Sequence, residues 1–178
     1  MTEYSVQKLT NYEMIFDFWK NNTNLLDGGD YVHDSRSWLE IFNHTPKKPY
    51  NPLSCGMFID NELIGLSYCF PTPDEQSLLK LSKMKGTTSA KLGFVYKLPK
   101  NWSRIRMTAV KDKYRGKGYA SILLKYLLEN VKSTAVWGLV SLELFPLYEK
   151  SGFMLTQTSV ESFNQRYYFM KYDKACLT

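Results

Sequence analysis

The stretch Lys113-Tyr114-Arg115-Gly116-Lys117-Gly118-Tyr119-Ala120 sets two glycines one residue apart among basic side chains, where one apolar segment stops and another begins. Upstream, Ile105, Met107, Ala109 and Val110 read as a strand that runs directly into the turn. Downstream, Ala120, Leu123, Leu124, Leu127, Leu128 and Val131 recur at helical spacing along one face. A strand, a glycine turn and a helix in this order present unpaired backbone N–H groups at the positive end of the helix dipole, where an anion is favoured. Gly116 and Gly118 keep side chains out of that approach. The spacing is neither the Gly-x-x-x-x-Gly-Lys-Ser/Thr of nucleotide triphosphatases nor the Gly-x-Gly-x-x-Gly of dinucleotide folds. Taken alone, the turn suits either a phosphate site or a flexible corner.

Working outward, the chain after the helix continues with an apolar strand over 135–140 and a short helix over 143–150. Gly152 closes that helix at a C-cap position, and two strand-like runs follow at 153–160 and 166–172. Toward the N-terminus, 4–9 alternates as a strand. Thr10 and Glu13 have the spacing of a capping box for a helix over 12–21, with the apolar stripe Tyr12, Ile15, Phe16 and Trp19. A second short helix capped by Asp34 or Ser35 carries Trp38, Leu39 and Phe42, and Pro46, Pro49 and Pro52 prevent it from continuing. Residues 56–59 and 62–70 read as two strands joined by the tight turn Asp60-Asn61. Between them and the glycine turn lies a stretch over 71–100, with a helix expected at 74–85 and a short strand at 92–96.

The 178 residues, 44% hydrophobic and 15% aromatic, suit one compact domain spanning 1–178. The polar N-terminus and the lack of any run near the roughly 18 apolar residues of a membrane span predict a soluble, cytoplasmic protein. Cys55, Cys69 and Cys176 form no Cys-x-x-Cys pair, and their odd number points to reduced thiols. The net charge of +6 suits an anionic partner. Basic residues are spread along the chain and form no tail, which argues against nucleic acid as the partner without excluding it.

Met107-Thr108-Ala109-Val110, then Tyr114-Arg115-Gly116-Lys117-Gly118-Tyr119-Ala120, then a helix with Leu123-Leu124, resembles the acetyl-coenzyme A binding core of the GNAT superfamily of N-acetyltransferases. Its signature, Arg/Gln-x-x-Gly-x-Gly/Ala, is met by Arg115, Gly118 and Ala120. Leu147-Tyr148-Glu149-Lys150-Ser151-Gly152-Phe153 is similar to the family's second signature, Tyr-Glu-Lys-x-Gly-Phe. The resemblance implies an α/β fold with a mixed, largely antiparallel central sheet, splayed in the middle and flanked by helices. It further implies acetyl-CoA as acyl donor, no metal, and an amine-bearing acceptor, the protein being a monomer or homodimer. The backbone amides of Arg115, Gly116, Lys117, Gly118, Tyr119 and Ala120 would hold the pyrophosphate, and Ala109 and Val110 would pair with the pantetheine arm.

By the same resemblance, Tyr148 is the general acid that protonates the departing thiolate, a role that suits a phenol of pKa about 10; packing helix to sheet is its other reading. The amine must lose a proton before or during attack, yet residues 104–110 carry no carboxylate, unlike some relatives. Asp112 and Glu143 are candidates better read as solvated. His33 and His44, and Tyr31, Trp38 and Tyr50, fall where relatives often form the acceptor pocket. Two further readings stay open: a non-catalytic acyl-CoA sensor of the same fold, and a toxin-like acetyltransferase acting on aminoacyl-tRNA. The sequence departs from the family after Val140, where Ser141-Leu142-Glu143-Leu144-Phe145-Pro146 replaces small polar and alanine residues.

Overall fold

The computed structural model describes residues 3–22, 53–73, 76, 95–162 and 165–174. Seven strands form one sheet: β1 (Ser5–Lys8), β2 (Cys55–Ile59), β3 (Glu62–Pro71), β4 (Trp102–Val110), β5 (Ala135–Val140), β6 (Met154–Ser162) and β7 (Gln165–Asp173). The helices α1 (Tyr12–Asn21), α2 (Tyr119–Asn130) and α3 (Phe145–Glu149) accompany them. The strand order is β1-β2-β3-β4-β5-β7-β6. Every neighbouring pair is antiparallel except β4 and β5, which run parallel. The expected α/β mixed sheet with flanking helices is therefore the observed one.

The splay has a visible cause. β4 and β5 pair only through Trp102↔Ala135, Ser103↔Val136 and Arg104↔Trp137. Immediately beyond, the β3–β4 register steps from Cys69↔Ile105 to Tyr68↔Met107, so Arg106 is an extra residue in β4. A bulge of this kind bends and twists its strand, and it turns β4 away from β5 just where their pairing ends. From Ile105 to Val110, β4 keeps β3 on one side and, among the described residues, has no strand on the other.

Both faces of the sheet are covered. Leu123, Leu124, Leu127 and Leu128 of α2 pack with Met57, Ile64, Ile105, Val136 and Met170 on one face. Ile15 and Phe18 of α1 pack with Leu9, Phe58, Leu66 and Ala109 on the other. A smaller cluster of Val95, Trp137 and Phe169 adjoins β5 and β7. There the Trp137 indole donates to Thr72 Oγ1 at 2.9 Å and stacks on Phe169 with ring centroids 5.7 Å apart.

Several local expectations change. The cap of α1 is Asn11, whose Oδ1 accepts from the Glu13 amide at 2.8 Å, and not the Thr10–Glu13 box. Asn at the N-cap position satisfies an orphan donor of the first turn directly. Of the apolar stripe, Ile15 is buried and is joined by Phe18 one turn on; the side chains of Tyr12, Phe16 and Trp19 lie outside the described residues. Residues 95–97, expected at the end of a strand, form a 3-10 turn in which the Leu98 amide donates to Val95 O at 3.2 Å. In that turn Val95 is buried against Trp137 and Phe169. The Asp60-Asn61 turn has φ of +49° and +64°, the paired positive values of the tight hairpin turn that Asp and Asn tolerate best. α3 starts at Phe145 and not 143, with Pro146 in its first turn, where a missing N–H costs nothing. The helix expected near Asp34 lies outside the described residues, as does the one expected at 74–85 apart from Gln76, which is helical.

Cys55 and Cys69 are free and buried. Burial pushes the Cys55 thiol up to about 12 and that of Cys69 higher still. Because the thiolate is the reactive form, native protein treated with iodoacetamide at pH 8 is expected to leave both unmodified, and denaturation should expose both, as peptide mass mapping would read out.

Candidate functional site

The site forms where β4 leaves β5. Ala109 and Val110 end β4 and are buried on opposite faces, Ala109 against α1 and Val110 against α2. The chain then makes one 3-10 turn, Asp112–Tyr114, and enters the glycine turn. Gly116 has φ of +76° and Gly118 of +78°, a region that costs side-chain-bearing residues roughly 1–2 kcal/mol. A Cβ at either would meet nothing within 4 Å. Backbone geometry, rather than crowding by the protein, is what calls for glycine here.

Gly118 is the N-cap of α2 and has no side chain to satisfy the helix's first amides. Its carbonyl accepts from the Ile122 amide at 3.2 Å, so the first-turn N–H groups of Tyr119, Ala120 and Ser121 have no intrahelical acceptor. The Arg115 amide is already committed to Asp112 O at 3.1 Å. Its side chain sits between the Asp112 carboxylate and the Val110 carbonyl, with Nε 3.2 Å from each. Lys117 is exposed, with Nζ 5.9 Å from the centre of the Tyr114 ring. The local field is thus that of a helix N-terminus with two cations beside it.

A carboxylate that the sequence reading passed over organises the approach to this turn. Glu62, at the start of β3, accepts from Lys111 Nζ at 2.7 Å, Lys113 Nζ at 3.2 Å and the Tyr114 hydroxyl at 3.1 Å. The hydrogen bond from Lys111 foremost, then that from Lys113, holds its carboxyl at about 2, below its ordinary 4.5. Whatever stability this linkage contributes is present above the unfolded value and is lost as pH falls through the folded one. Extending the Gly65↔Val110 register by three residues brings Glu62 opposite Lys113, a signal that exists only once β3 is known to pair with β4.

Tyr148 lies on α3, 7% exposed, in the same apolar cluster as Val110, Leu123 and Leu124. Its ring meets Phe153 edge-on, with centroids 5.6 Å apart and an interplanar angle of 82°. Its carbonyl accepts from the Ser151 and Phe153 amides at 2.9 and 3.2 Å, so Gly152, at φ of +89°, reverses the chain directly beneath it. The tyrosine and the glycine turn therefore belong to one face of the sheet.

The two carboxylate candidates for a base are both exposed, Glu143 before α3 and Asp112 beside Arg115. Tyr31, His33, Trp38, His44 and Tyr50 lie outside the described residues. Ser141, at the end of β5, is buried, and its hydroxyl has no hydrogen-bond partner among the described residues. Since an unpaired buried hydroxyl is a net cost, Ser141→Ala is expected to hold or raise stability, by up to about 1 kcal/mol, in thermal unfolding of the free protein.

The sequence profile of the acetyltransferase (GNAT) family matches residues 13–153. No curated protein matches the chain. Among solved structures, it is similar to an N-acetyltransferase from Staphylococcus aureus Mu50, at 18% identity over 94% of this chain and 99% of that one, with a TM-score of 0.61. It is also similar to the ribosomal-protein-S18-alanine N-acetyltransferase of Escherichia coli, at 10% identity over 96% and 94% of the two chains, with a TM-score of 0.62. A third similar structure is Arabidopsis thaliana Naa50 in complex with the bisubstrate analogue CoA-Ac-MVNAL, at 14% identity over 96% and 98%, with a TM-score of 0.57. At such identities the structural likenesses speak for the fold, while the profile, which spans most of the sequence, speaks for the family. The chain belongs to the GNAT family of acetyltransferases and is an acyltransferase.

Proposed function

We propose that this chain, acting as a single domain, moves an acetyl group from acetyl-CoA to a primary amine of a small molecule, peptide or protein by direct attack of the amine on the thioester. The observation that carries the reading is the glycine turn. Gly116 and Gly118 stand at positive φ with open space above them, at the start of α2, beside the gap between β4 and β5. A pyrophosphate fits there, because backbone donors and a helix dipole favour an anion and no side chain stands in the way.

In this reading the amides of Gly116, Lys117, Gly118, Tyr119 and Ala120 hold the pyrophosphate. Arg115 contributes its exposed guanidinium, its amide being bonded to Asp112. The edge of β4 that has lost β5 offers the backbone of Ala109 and Val110 to the amide-bearing arm of the donor. When bound, the thioester supplies the acyl group. Tyr148 holds a proton at its hydroxyl for the departing sulfur, and the burial of its ring among Leu123, Leu124 and Phe153 keeps water from competing for that proton. The acceptor's proton passes to solvent or to a base outside these residues.

The test is thiol release from acetyl-CoA, measured against panels of small amines, peptides and aminoacyl-tRNA. Release that depends on a primary amine supports the proposal. Tight CoA binding without release across every panel would make the chain an acyl-CoA sensor, and release only with charged tRNA, declining steeply with salt, would make the acceptor RNA-borne.

A further inference from the structure

Glu62 is remote from the glycine turn in sequence, yet its carboxylate gathers three donors from the short segment that delivers the chain into that turn. Lys111 is anchored twice, since its amide also donates to Ile64 O at 2.8 Å. Its side chain is partly buried, with Nζ 5.9 Å from the centre of the Phe18 ring on α1. Lys113 lies with its Nζ 4.8 Å from the centre of the Tyr114 ring. Tyr114 packs against the α2-side core while its hydroxyl reaches back to Glu62. The 3-10 turn 112–114 has no buried residue and no side-chain cap of its own. Beside the Lys111 amide and the packing of the Tyr114 ring, Glu62 is the β3 side chain that ties this segment to the sheet.

Two physical effects oppose each other at this position. An anion close to a phosphate site repels the phosphate and occupies two lysines that could otherwise attract it. A carboxylate accepting three hydrogen bonds also fixes the segment that sets where the next backbone amides point, which lowers the ordering cost of binding. The geometry favours the second, because all three bonds reach the segment immediately preceding Gly116 and none reaches the turn's own amides. We propose that Glu62 is a positioning residue of the donor site, holding the segment that presents the glycine turn so that a phosphate-bearing donor meets a preformed loop. This rests on the donor reading of the glycine turn.

The test is to measure calorimetric binding of CoA and steady-state kinetics with acetyl-CoA for the full chain, for Glu62→Ala and for Glu62→Gln. Positioning predicts that Glu62→Ala raises Kd for CoA and KM for acetyl-CoA by about tenfold while kcat stays within about twofold. Glu62→Gln should fall between, since one oxygen still accepts from Lys111. Binding by both variants should weaken more steeply with salt than that of the unmodified chain, because neither keeps the negative charge that offsets Lys111 and Lys113. Equal or tighter CoA binding by Glu62→Ala would overturn the proposal and make Glu62 a competing anion only. If Glu62→Ala fails to fold, Glu62→Gln decides by the same sign. Should the unmodified chain bind no CoA, the donor reading itself fails; should it bind while both variants match it, only the role of Glu62 is lost.

Discussion

Tyr148→Phe is expected to lower kcat for acetyl transfer by about 100-fold, the lower end of what a positioned general acid supplies, while KM for acetyl-CoA moves by no more than about twofold. The substitution removes one oxygen and nothing else. The ring that packs edge-on against Phe153 within the α2-side core remains, as do the carbonyl bonds that close α3, so thermal stability should change by about 1 kcal/mol or less. An effect confined to kcat marks a group that acts in the transition state and not in donor binding. Unchanged turnover, with thiol release otherwise robust, would leave Tyr148 a packing residue. A matched fall in stability and kcat would assign the loss to the core.

Substitution at Gly118 should act on the opposite parameter. Gly118→Asn and Gly118→Asp differ by a charge, and both side chains tolerate positive φ better than most. A Cβ here meets no atom of the free protein, so both variants should fold, destabilised by about 1 kcal/mol. Donor binding is where they part. A carboxylate at the N-cap of α2 sits where the proposed pyrophosphate lies, and at an effective dielectric near 20 the repulsion is worth roughly 3 kcal/mol, or about 100-fold in KM for acetyl-CoA. The asparagine variant blocks space without adding charge and should lose about tenfold. Raising the salt concentration should recover part of the aspartate loss and little of the asparagine loss. If both variants keep the original KM, the turn is not the phosphate site.

The region that carried the sequence reading was legible because its information is local. From 104 to 153 the alternation of β4, the single apolar face of α2, the positive-φ glycines and the Gly152 stop each arise from residues within a few positions of one another. Periodicity and turn chemistry act at that range. The same holds for the β2–β3 hairpin, whose Asp60-Asn61 turn leaves little choice of connection. Local spacing did not settle every cap. The sequence pointed to Thr10 as the cap of α1, and only the hydrogen bond from the Glu13 amide to Asn11 Oδ1 assigns the role to Asn11.

Other features depend on partners far apart in the chain. β7 enters the sheet between β5 and β6, and nothing in the 165–173 stretch says which strand it will join. The splay depends on Arg106 being extra against β3 and on β5 pairing with only the first three residues of β4. That the arginine at 104 lies buried with its guanidinium 4.9 Å from the Trp137 ring centre follows from the same pairing.

By itself, then, the sequence determined the strand, glycine turn and helix, the place of the two glycines within that turn, and the family, since all of these are written in short-range spacing. Only the tertiary structure decided that β4 bulges away from β5 to leave its edge open, that Tyr148 and the glycine turn share one face of the sheet, and that Glu62 grips the segment leading into the turn. Those are consequences of strand register, which brings residues distant in sequence to hydrogen-bond distance, and register is a property of the packed sheet and not of any one stretch of chain.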